Sequence, residues 1–530
     1  MKPYDLYQFY KPGTLKDLLD YCAQTRPDHT AFSYAVRKKE YNWTYTEFRD
    51  QVNAVSAWLL SSGETGRHIA VLGENSYEWI LIHFAVTCSR NVIVPIDRNL
   101  SPAEVDDLLK ESDCSVFFCS DQYDDIAQQL TVPDLEIILM SQTKRIIHEG
   151  EVLISAHKID PSLCKPEKDD LASIVFTSGT TGKSKGVMLT HGNFAADAYG
   201  SCCNVLLKGN GLLVLPLHHT FGLVAGVFSP MLQGCPICIN QSLKNISRDI
   251  QKYRPQHMFI VPLIAEQFNQ RIWNSVKEKG KDIILRKLLR MSNFLLKFGM
   301  DLRYRLYKEI HDAFGGNLRL LVCGGAPIDE DVIKSLRSFG FIVLNGYGIT
   351  ECGPVVAVNR NKMIVPESVG LPLICNKVKI SDDGEILVRG ENVMQGYYHM
   401  ELETEEVFRN GWFRTGDLGQ IDEQGALHIT GRIKNLIILK NGENIPAETL
   451  EFELLKIPEV EEVIVYGKDD VITAEVYPDP SFGNSEQKIR DAVARINREL
   501  PQNRNIADLI MRSEPFPKTT TLKIKRDGRK

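Results

Sequence analysis

Short apolar runs alternate with helix-like segments along the first 360 residues of the chain. Residues 69–73 and 92–96 are short apolar runs, whereas residues 15–22 and 46–60 repeat apolar side chains at helical spacing. Strands that are separated by helices pair in parallel, with the helices covering the faces of the sheet. This alternation therefore predicts an α/β fold with parallel sheets.

The character of the sequence changes after residue 376. Short strands separated by Asp-Gly and Gln-Gly turns within residues 378–429 predict a small antiparallel sheet or barrel. Strands at 463–466 and 472–476, with a helix near 485–500, predict a small α+β domain at the end of the chain. The predicted fold is α/β, with two parallel αβ sheet subdomains and a small β-barrel-like subdomain in a large N-terminal domain, followed by the small α+β domain.

Composition and charge exclude several classes of protein. The hydrophobic fraction of 43% and the charged fraction of 25% are those of an ordinary globular protein. A net charge of −6 gives no support to nucleic-acid binding. The N-terminus is polar and no run of about 18 apolar residues occurs, so neither a signal peptide nor a transmembrane segment is expected. These features predict a cytoplasmic enzyme.

Twelve cysteines are scattered through the chain, mostly among apolar neighbours. Cys235 and Cys238 form a CxxC pair, but no second pair lies at zinc-site spacing, and the pair flanks a segment typical of a short buried strand. We therefore expect the cysteines to be small buried apolar residues rather than a redox or metal site.

Residues 277–308 carry ten lysines and arginines against three acidic residues, interleaved with apolar side chains. A basic amphipathic helix can make a peripheral membrane contact or attract an acidic partner. The same pattern also fits the solvated face of a surface helix that packs on the protein. The sequence leaves these interpretations open.

A loop of glycine, serine, threonine and lysine follows the apolar strand that ends near Thr177. Such a loop presents backbone N–H groups, hydroxyls and ammonium groups to phosphate oxygens. The spacing excludes a Walker-type P-loop, because a motif ending at Lys183 and Ser184 needs glycine where Thr177 stands. The phosphate-binding residues expected in this loop are Thr177, Ser178, Gly179, Thr180, Thr181, Gly182 and Lys185.

Later segments add the remaining parts of a nucleotide site. An aromatic residue between glycines precedes a hydroxyl and a carboxylate, in the set Asn345, Gly346, Tyr347, Gly348, Thr350 and Glu351. The tyrosine can stack on a purine, and the carboxylate can bind the Mg²⁺ that accompanies ATP. Asp417 lies between turns and suits two ribose hydroxyls, Arg432 follows it, and a basic segment ends the chain.

In this order and at these separations, the segments resemble those of the adenylate-forming superfamily: acyl-CoA synthetases, nonribosomal-peptide adenylation domains and firefly luciferase. The resemblance spans essentially the whole chain. The residues within the motifs are most similar to those of fatty-acyl and aryl-acid CoA ligases, as in His218-His219-Thr220-Phe221-Gly222. The resemblance implies a large ATP- and acid-binding domain over residues 1–433. It also implies a small mobile lid domain over residues 434–530, with its hinge at Lys434.

The resemblance also assigns roles to the nucleotide-binding segments. The loop 177–185 covers the β- and γ-phosphates, with Ser184 where proline is usual. Thr350 contacts the α-phosphate and Glu351 coordinates Mg²⁺. The base and the ribose are contacted by Gly325, Ala326, Asn345, Gly346, Tyr347, Gly348, Asp417 and Arg432.

Four further residues are implied to act during the reaction. His219 lies at the mouth of the acyl site, and Lys523 bridges the attacking carboxylate and the α-phosphate, although Leu522 stands where glycine is usual. Lys434 absorbs the rotation between the domains, and Gly442 then lines a channel for the thiol. The other terminal lysines, Lys518 among them, are expected to form a solvated basic tail.

The implied reaction has two steps and uses ATP, Mg²⁺ and coenzyme A. A carboxylic acid attacks the α-phosphorus and expels pyrophosphate, and a thiol then displaces AMP. One alternative acceptor is the phosphopantetheine of an acidic acyl carrier protein. A second alternative is a nucleotide-binding sensor without turnover, against which the intact charged residues argue. Small residues in the expected pocket, Gly222, Ala225 and Gly226, favour a medium- or long-chain fatty acid over an aryl acid.

Overall fold

The computed structural model describes residues 4–36, 39–177, 184–438, 444–468, 471–501, 504–518, 524 and 526. Backbone contacts divide the chain into two compact units. The first unit comprises Met1–Lys377, Val388–Phe413 and Glu423–Ala426, and the second comprises Val378–Leu387, Arg414–Asp422 and Leu427–Lys530. This division describes contacts in one conformation, whereas the predicted hinge at Lys434 describes a movement between conformations. The hinge therefore stays a prediction.

The described residues contain both strands and helices, as a mixed α/β fold requires. The strands are β1 (Thr30–Val36), β2 (Lys39–Thr44), β3 (His68–Leu72), β4 (Val92–Ile96), β5 (Cys114–Cys119), β6 (Glu136–Leu139), β7 (Leu171–Thr177), β8 (Lys185–Thr190), β9 (Gly211–Leu213), β10 (Ile237–Ile239), β11 (His257–Ile260), β12 (Leu320–Cys323), β13 (Ile342–Gly348), β14 (Val355–Val358), β15 (Leu371–Pro372), β16 (Asn376–Ile380), β17 (Glu385–Gly390), β18 (Gly396–Tyr397), β19 (Phe408–Arg409), β20 (Trp412–Ile421), β21 (Leu427–Arg432), β22 (Leu436–Ile438), β23 (Asn444–Pro446), β24 (Val460–Lys468), β25 (Val471–Pro478) and β26 (Ile506–Met511). The helices are α1 (Leu15–Thr25), α2 (Tyr45–Leu60), α3 (Tyr77–Cys88), α4 (Pro102–Glu111), α5 (Asp124–Ala127), α6 (Thr143–Ser155), α7 (His191–Asn204), α8 (Thr220–Leu223), α9 (Ser229–Gln233), α10 (Ile246–Tyr253), α11 (Pro262–Glu278), α12 (Asp282–Lys297), α13 (Arg303–Leu306), α14 (Lys308–Ala313), α15 (Glu330–Ser338), α16 (Glu401–Val407), α17 (Ala447–Leu455) and α18 (Glu486–Glu499).

Two large sheets form the framework of the first unit. The nine-stranded sheet runs β15-β14-β13-β12-β11-β9-β10-β1-β2, and the seven-stranded sheet runs β18-β8-β7-β4-β3-β5-β6. The central strands pair in parallel, and antiparallel strands lie at the edges. The parallel α/β fold predicted from the alternating pattern is confirmed, and the helices between the strands supply the crossover connections that parallel pairing needs.

Local sequence signals explain where several helices begin. The Thr14 hydroxyl oxygen accepts a hydrogen bond from the backbone N–H of Asp17, and the Asp17 carboxylate accepts one from the backbone N–H of Thr14. Thr44 and Glu47 repeat this capping box at α2. Each box satisfies two N–H groups that the helix leaves without partners. Helix α3 differs because almost every side chain along it is buried, so its sequence is nearly continuously apolar.

The second unit has its own hydrophobic core. Strands β24, β25 and β26 form a three-stranded sheet against which α17 and α18 pack, with buried residues such as Leu454, Val465 and Ile489 between them.

The short strands predicted after residue 376 form a five-stranded sheet, β16-β17-β20-β19 with β21 on β20. The β19–β20 and β20–β21 pairs are antiparallel, as the turn signals indicated.

The basic stretch 277–308 is not one helix. It contains the end of α11, then α12, α13 and the start of α14. The helices are interrupted near Gly280 and Gly299, whose φ angles of +63° and +78° stop a right-handed helix. No helix within the described ranges is long and apolar enough to cross a membrane.

All twelve cysteines lie in the described part of the chain, and none of them forms a disulfide. Eleven are buried, and Cys164 is partly exposed. Cys238 lies on β10 and Cys235 precedes it, in the apolar surroundings that the sequence indicated. Burial raises the pKa of the Cys235 and Cys238 thiols to about 11, so both stay protonated and behave as small apolar side chains.

Candidate active site

The strands that flank the predicted phosphate loop form an antiparallel pair. Thr177 at the end of β7 lies opposite Lys185 at the start of β8, and the Thr177 hydroxyl donates to the Lys185 carbonyl at 3.5 Å. The two ends of the loop are therefore held close together by the seven-stranded sheet. The loop residues predicted to bind phosphate, Ser178, Gly179, Thr180, Thr181 and Gly182, lie outside the described residues, and their role stays a prediction.

Lys185, Tyr397 and Glu351 lie side by side in the first unit. The Lys185 ammonium lies 4.6 Å from the centroid of the Tyr397 ring, and the Tyr397 hydroxyl donates to Glu351 Oε1 at 2.9 Å. Burial and the adjacent Glu351 carboxylate raise the pKa of Tyr397 well above its usual value, so the hydroxyl keeps its proton and remains a donor. Tyr397 thus fixes the orientation of the carboxylate that was predicted to bind Mg²⁺.

The sequence did not assign a function to Tyr397. Its place follows from β18, which adds to the edge of β8 with Tyr397 opposite Val187. The only signal in the sequence was a glycine followed by two aromatic residues, which matched the ligase motifs but pointed to no partner. Tyr397 and Glu351 are 46 positions apart in the sequence, so their contact can be recognised only once the pairing of the strands is known.

A buried network of hydrogen bonds holds the turn that carries Thr350 and Glu351. The Asn392 amide donates to the carbonyls of Cys352 and Val355 at 2.8 and 2.9 Å. Asp197 Oδ2 accepts from the Val355 amide at 2.7 Å and from Asn392 at 3.2 Å. Burial raises the pKa of Asp197 to about 8, so this carboxyl group holds its proton at neutral pH and buries no net charge.

Glu351 fits the chemistry of a magnesium ligand. It is half-buried in a short turn, and its carboxylate supplies the hard oxygen that Mg²⁺ prefers. Mg²⁺ sites that also use substrate phosphates take only one or two protein carboxylates. The hydrogen bond from Tyr397 is the kind of outer contact that orients such a ligand.

An apolar cavity lies beside the tyrosine of the nucleotide motif. It is a cleft open to solvent, with about 620 Å³ of space between its walls, and most of its lining is apolar. The lining residues are Ser201, Val205, Leu207, Phe221, Ala225, Ser229, Gln233, Phe259, Val322, Cys323, Gly324, Gly325, Gly346, Tyr347, Gly348, Pro354, Val355 and Val358. Gln233 offers little polarity, because its amide is hydrogen-bonded to the backbone of Val205 and Leu207.

The expectation that three small residues make room in the pocket is only partly right. Ala225 lines the cavity, but Gly222 and Gly226 do not. A Cβ on Gly222 would lie 2.2 Å from the Pro216 carbonyl oxygen, and one on Gly226 would lie 2.6 Å from Leu213. Close packing against the backbone therefore requires Gly222, whereas the neighbour of Gly226 is the end of a flexible side chain. Both glycines belong to the helical segment 220–228, which ends in the π-helical residues Val224–Phe228.

His219 belongs to a compact cluster that the sequence did not reveal. It precedes α8, its ring centroid lies 4.1 Å from that of His218, and His218 Nε2 lies 3.3 Å from Asp97 Oδ2. One ligand atom from each residue lies within 4.8 Å of the others, the one such group of three among the described residues. Imidazoles suit transition metals rather than Mg²⁺, so this cluster does not compete with Glu351 as the magnesium site.

The remaining residues of the nucleotide motifs have ordinary structural partners. Asn345 on β13 accepts from the backbone and the side chain of Asn359 through its carbonyl. Gly325 has a φ of +88° and, like Ala326, is exposed. Tyr347 pairs with Ala357 on β14 and is partly exposed, so its ring is accessible for stacking.

Asp417 and Arg432 form an ion pair in the second unit. They lie opposite each other on β20 and β21, and Arg432 Nε donates to Asp417 Oδ1 at 2.6 Å. Asp417 is buried, whereas the Arg432 side chain is 52% exposed. Lys434 lies two residues further in the short turn Ile433–Asn435 and is exposed. The structure thus brings together the two residues expected to hold the ribose, and that role stays a prediction.

Two basic residues that the structure describes near the end of the chain are anchored to carboxylates. Lys518 forms an ion pair with the buried Glu462, and Arg526 Nη2 lies 2.5 Å from Glu451. The expectation for Lys518 is therefore wrong, because a buried carboxylate needs a cation beside it. Lys523 lies between these two anchors but outside the described residues, as does Gly442, and their roles stay predictions.

Comparison with known proteins agrees with this geometry. The family model described as AMP-binding enzyme matches residues 19–398. The long-chain-fatty-acid–CoA ligase FadD15 of Mycobacterium bovis is 30% identical over 470 residues, which cover 83% of this chain and 78% of that protein.

Solved structures show the same fold. o-Succinylbenzoate CoA synthetase (MenE) from Bacillus subtilis, in complex with its acyl-adenylate intermediate, aligns with a TM-score of 0.75 at 23% identity, covering 96% of this chain and 97% of that one. The same enzyme in complex with ATP and magnesium aligns with a TM-score of 0.74 at 23% identity, covering 97% and 98%. The family model spans well over half of the chain and includes every residue that lines the cavity. The chain therefore belongs to the AMP-binding enzyme family and is an enzyme of the acyl-CoA synthetase type.

Proposed function

We propose that this enzyme uses ATP and Mg²⁺ to convert a fatty acid to its acyl adenylate and then transfers the acyl group to coenzyme A. The observation that carries the proposal is the apolar lining of the cavity, which shares Tyr347 and its flanking glycines with the nucleotide motif. A cavity lined in this way buries an alkyl chain while leaving the carboxylate near the nucleotide. FadD15, named as a long-chain-fatty-acid–CoA ligase, supports the choice of acid.

In the proposed first step, two negatively charged groups, the acid carboxylate and the α-phosphate of ATP, must approach each other. The acid carboxylate attacks the α-phosphorus of ATP, the bond to the β-phosphate oxygen breaks, and pyrophosphate leaves. Lys523 and Thr350 are proposed to neutralise charge at the α-phosphate, and Lys185 is proposed to contact the outer phosphates. Glu351 would hold the Mg²⁺ that accompanies ATP, and the bound ion would supply further charge neutralisation on the triphosphate.

Base and ribose are proposed to be held by separate elements. Tyr347 stacks on adenine, and Asp417, fixed by Arg432, accepts from the ribose hydroxyls. A carboxylate that already accepts one bond from an arginine is held in a fixed orientation, which favours a directional contact with two hydroxyls. His219 is proposed to lie near the acid carboxylate, two residues before Phe221 of the cavity wall.

In the second step the thiol attacks the carbonyl carbon of the mixed anhydride, and AMP leaves with the bonding electrons. The proposed acceptor is coenzyme A, with Gly442 lining its path. A carrier-protein phosphopantetheine presents the same thiol and is the alternative acceptor. Thioester formation with coenzyme A and a carrier protein in competition separates the two, and exclusive acylation of the carrier would contradict our choice.

The cavity assignment is tested by filling it. Ala225→Leu adds three carbon atoms to the wall, so kcat/KM for a long-chain fatty acid should fall at least about tenfold, while a short-chain acid that does not reach the wall is activated as before. Acid-dependent exchange of labelled pyrophosphate into ATP measures both. The short acid is the internal control for folding.

Two outcomes would contradict the proposed acid. Wild-type exchange that depends on aryl acids but not on fatty acids would place the enzyme with the aryl-acid ligases. An unchanged chain-length profile in Ala225→Leu would show that the acid binds elsewhere. No exchange with any acid, in the presence of ATP and Mg²⁺, would favour the sensor without turnover.

A further inference from the structure

Exposed apolar side chains are concentrated in one short segment of the first unit. Of the twenty-three large hydrophobic residues that are exposed in the described part of the chain, nine lie between residues 283 and 306. These are Ile283, Ile284, Met291, Phe294, Phe298, Met300, Leu302, Tyr304 and Leu306. Such a concentration of exposed apolar residues within one segment indicates an interaction surface, whereas isolated exposed hydrophobics do not.

Helix α12 has two apolar faces, and the core uses only one of them. Leu285 is buried, and Leu288 and Leu289 pack against the core of the nine-stranded sheet. The opposite face carries Phe294, which is 58% exposed, and continues to Phe298 just past the helix end. The two rings lie edge to face with their centroids 5.1 Å apart, so they form a single protruding apolar group.

Cations border this apolar face. Residues 277–308 carry a net charge of +7, although the whole chain carries −6. At helical spacing, Lys287 lies within the exposed face, and Arg290 and Lys297 lie along one side of it. All three are exposed, and within the part of the chain that the structure describes none of them takes part in a salt bridge.

We propose that α12 and the following segment, residues 298–306, dock on the surface of a bilayer that contains anionic phospholipids. The protruding apolar side chains enter the boundary between headgroups and acyl chains, and the lysines and arginines contact lipid phosphates. Charge complementarity and apolar exposure occur on the same face, which is the pattern of an interfacial helix. This surface does not depend on the activity proposed above.

An acidic carrier protein is the competing occupant of this face. Attraction of an acidic protein needs the cations, whereas apolar side chains that protrude beside cations match the two layers of a bilayer surface, acyl chains next to anionic headgroups. The nine exposed hydrophobic residues therefore favour the lipid surface.

The test uses the full-length protein and sedimentation with vesicles of phosphatidylcholine, with and without phosphatidylglycerol. The wild type should bind the anionic vesicles and release from them as salt is raised, and it should bind the neutral vesicles much more weakly. The variant Lys287→Glu/Arg290→Glu/Lys297→Glu should lower the partition coefficient on anionic vesicles by roughly 100-fold or more. Lys144→Glu/Lys158→Glu/Lys362→Glu makes the same change of charge at other exposed positions and should bind far more tightly than this variant.

The apolar contribution is tested separately. Phe294→Ser/Phe298→Ser should weaken binding to anionic vesicles by roughly tenfold. The matched control Leu163→Ser/Leu402→Ser removes two side chains that are 78% and 76% exposed outside the patch, and it should bind like the wild type. Unchanged thermal unfolding and unchanged activation of a short soluble acid establish that the patch variants are folded.

Three results would overturn the proposal. The first is a wild type that does not sediment with anionic vesicles. The second is equal loss of binding in the patch variants and in their matched controls, which would indicate a response to net charge or to surface apolarity in general. The third is tight binding of an acidic acyl carrier protein that depends on the same residues while vesicle binding does not.

Discussion

Asp197 is a buried carboxyl group whose ionisation is linked to stability. Burial raises its pKa from 3.8 to about 8, so the folded state keeps a proton that the unfolded state loses near pH 4. The folded state therefore binds more protons between about pH 4 and pH 8. Its contribution to the free energy of unfolding is greatest at low pH and is lost as pH rises through about 8.

Asp197→Asn should remove this pH dependence. An amide keeps the acceptor for Val355 and Asn392 and cannot ionise. We expect the free energy of unfolding of the variant, measured with urea at several pH values between about 5 and 8, to fall less steeply than that of the wild type. Identical slopes in the two proteins would contradict a protonated Asp197.

Tyr397 is the residue that we expect to control the magnesium ligand. Tyr397→Phe removes the hydroxyl that donates to Glu351, and loss of such an outer contact typically costs about 10–100-fold in metal affinity or activity. The Mg²⁺ concentration for half-maximal pyrophosphate exchange should rise accordingly. Tyr398→Phe is the matched control, because its hydroxyl bonds to Asp113 instead. A similar effect in both variants would show that Glu351 does not need this bond.

Individual residues show how far sequence reasoning reaches at this scale. Asp417 and Arg432 were both assigned to the ribose from short motifs, whereas their pairing with each other across two neighbouring strands was not predicted. The contacts of Asp197 with Val355 and Asn392 span 158 and 195 residues, and no local pattern predicts them. A buried polar residue in an apolar helix is the only trace that such a network leaves in a sequence.

At the scale of elements, close packing against the neighbouring backbone constrains the helical segment 220–228. Gly222→Ala would place a Cβ 2.2 Å from the Pro216 carbonyl oxygen, and the backbone has to move because neither atom is at the end of a flexible side chain. We expect the free energy of unfolding to fall by about 2 kcal/mol, measured by chemical denaturation. A fully stable variant with only a narrower range of acids would mean that Gly222 serves the pocket after all.

Strands and helices were predicted well because their signals are local. Apolar runs such as Val92–Ile96 act over a few residues, and the structure reproduces them as strands. The capping boxes at Thr14 and Thr44 are equally local signals, which the structure revealed. The basic stretch 277–308 was misjudged as one helix because its composition is uniform, whereas Gly280 and Gly299 interrupt it. Charge and apolarity alone do not say where a helix ends.

At the scale of the whole molecule, we predict that the proposed two-step reaction needs a backbone change at Lys434. Lys434→Pro fixes φ near about −65° and should block a rotation that needs a different backbone angle. We expect pyrophosphate exchange to persist while thioester formation with coenzyme A falls by about tenfold or more. Lys434→Ala, which keeps backbone freedom, is the control. Equal loss of both half-reactions in the proline variant, or no loss in either, would contradict a hinge at this position.

The sequence by itself determined the α/β class, the order of the nucleotide motifs and the type of chemistry, because strand periodicity, helix caps and glycine-rich loops act over short distances. Only the tertiary structure decided that Tyr397 reaches Glu351, that Glu462 anchors Lys518 and that an apolar cavity lies beside Tyr347. These features join residues from separate strands and helices. Their contacts exist only after the sheets have paired and the side chains have packed, so no single segment of the chain encodes them.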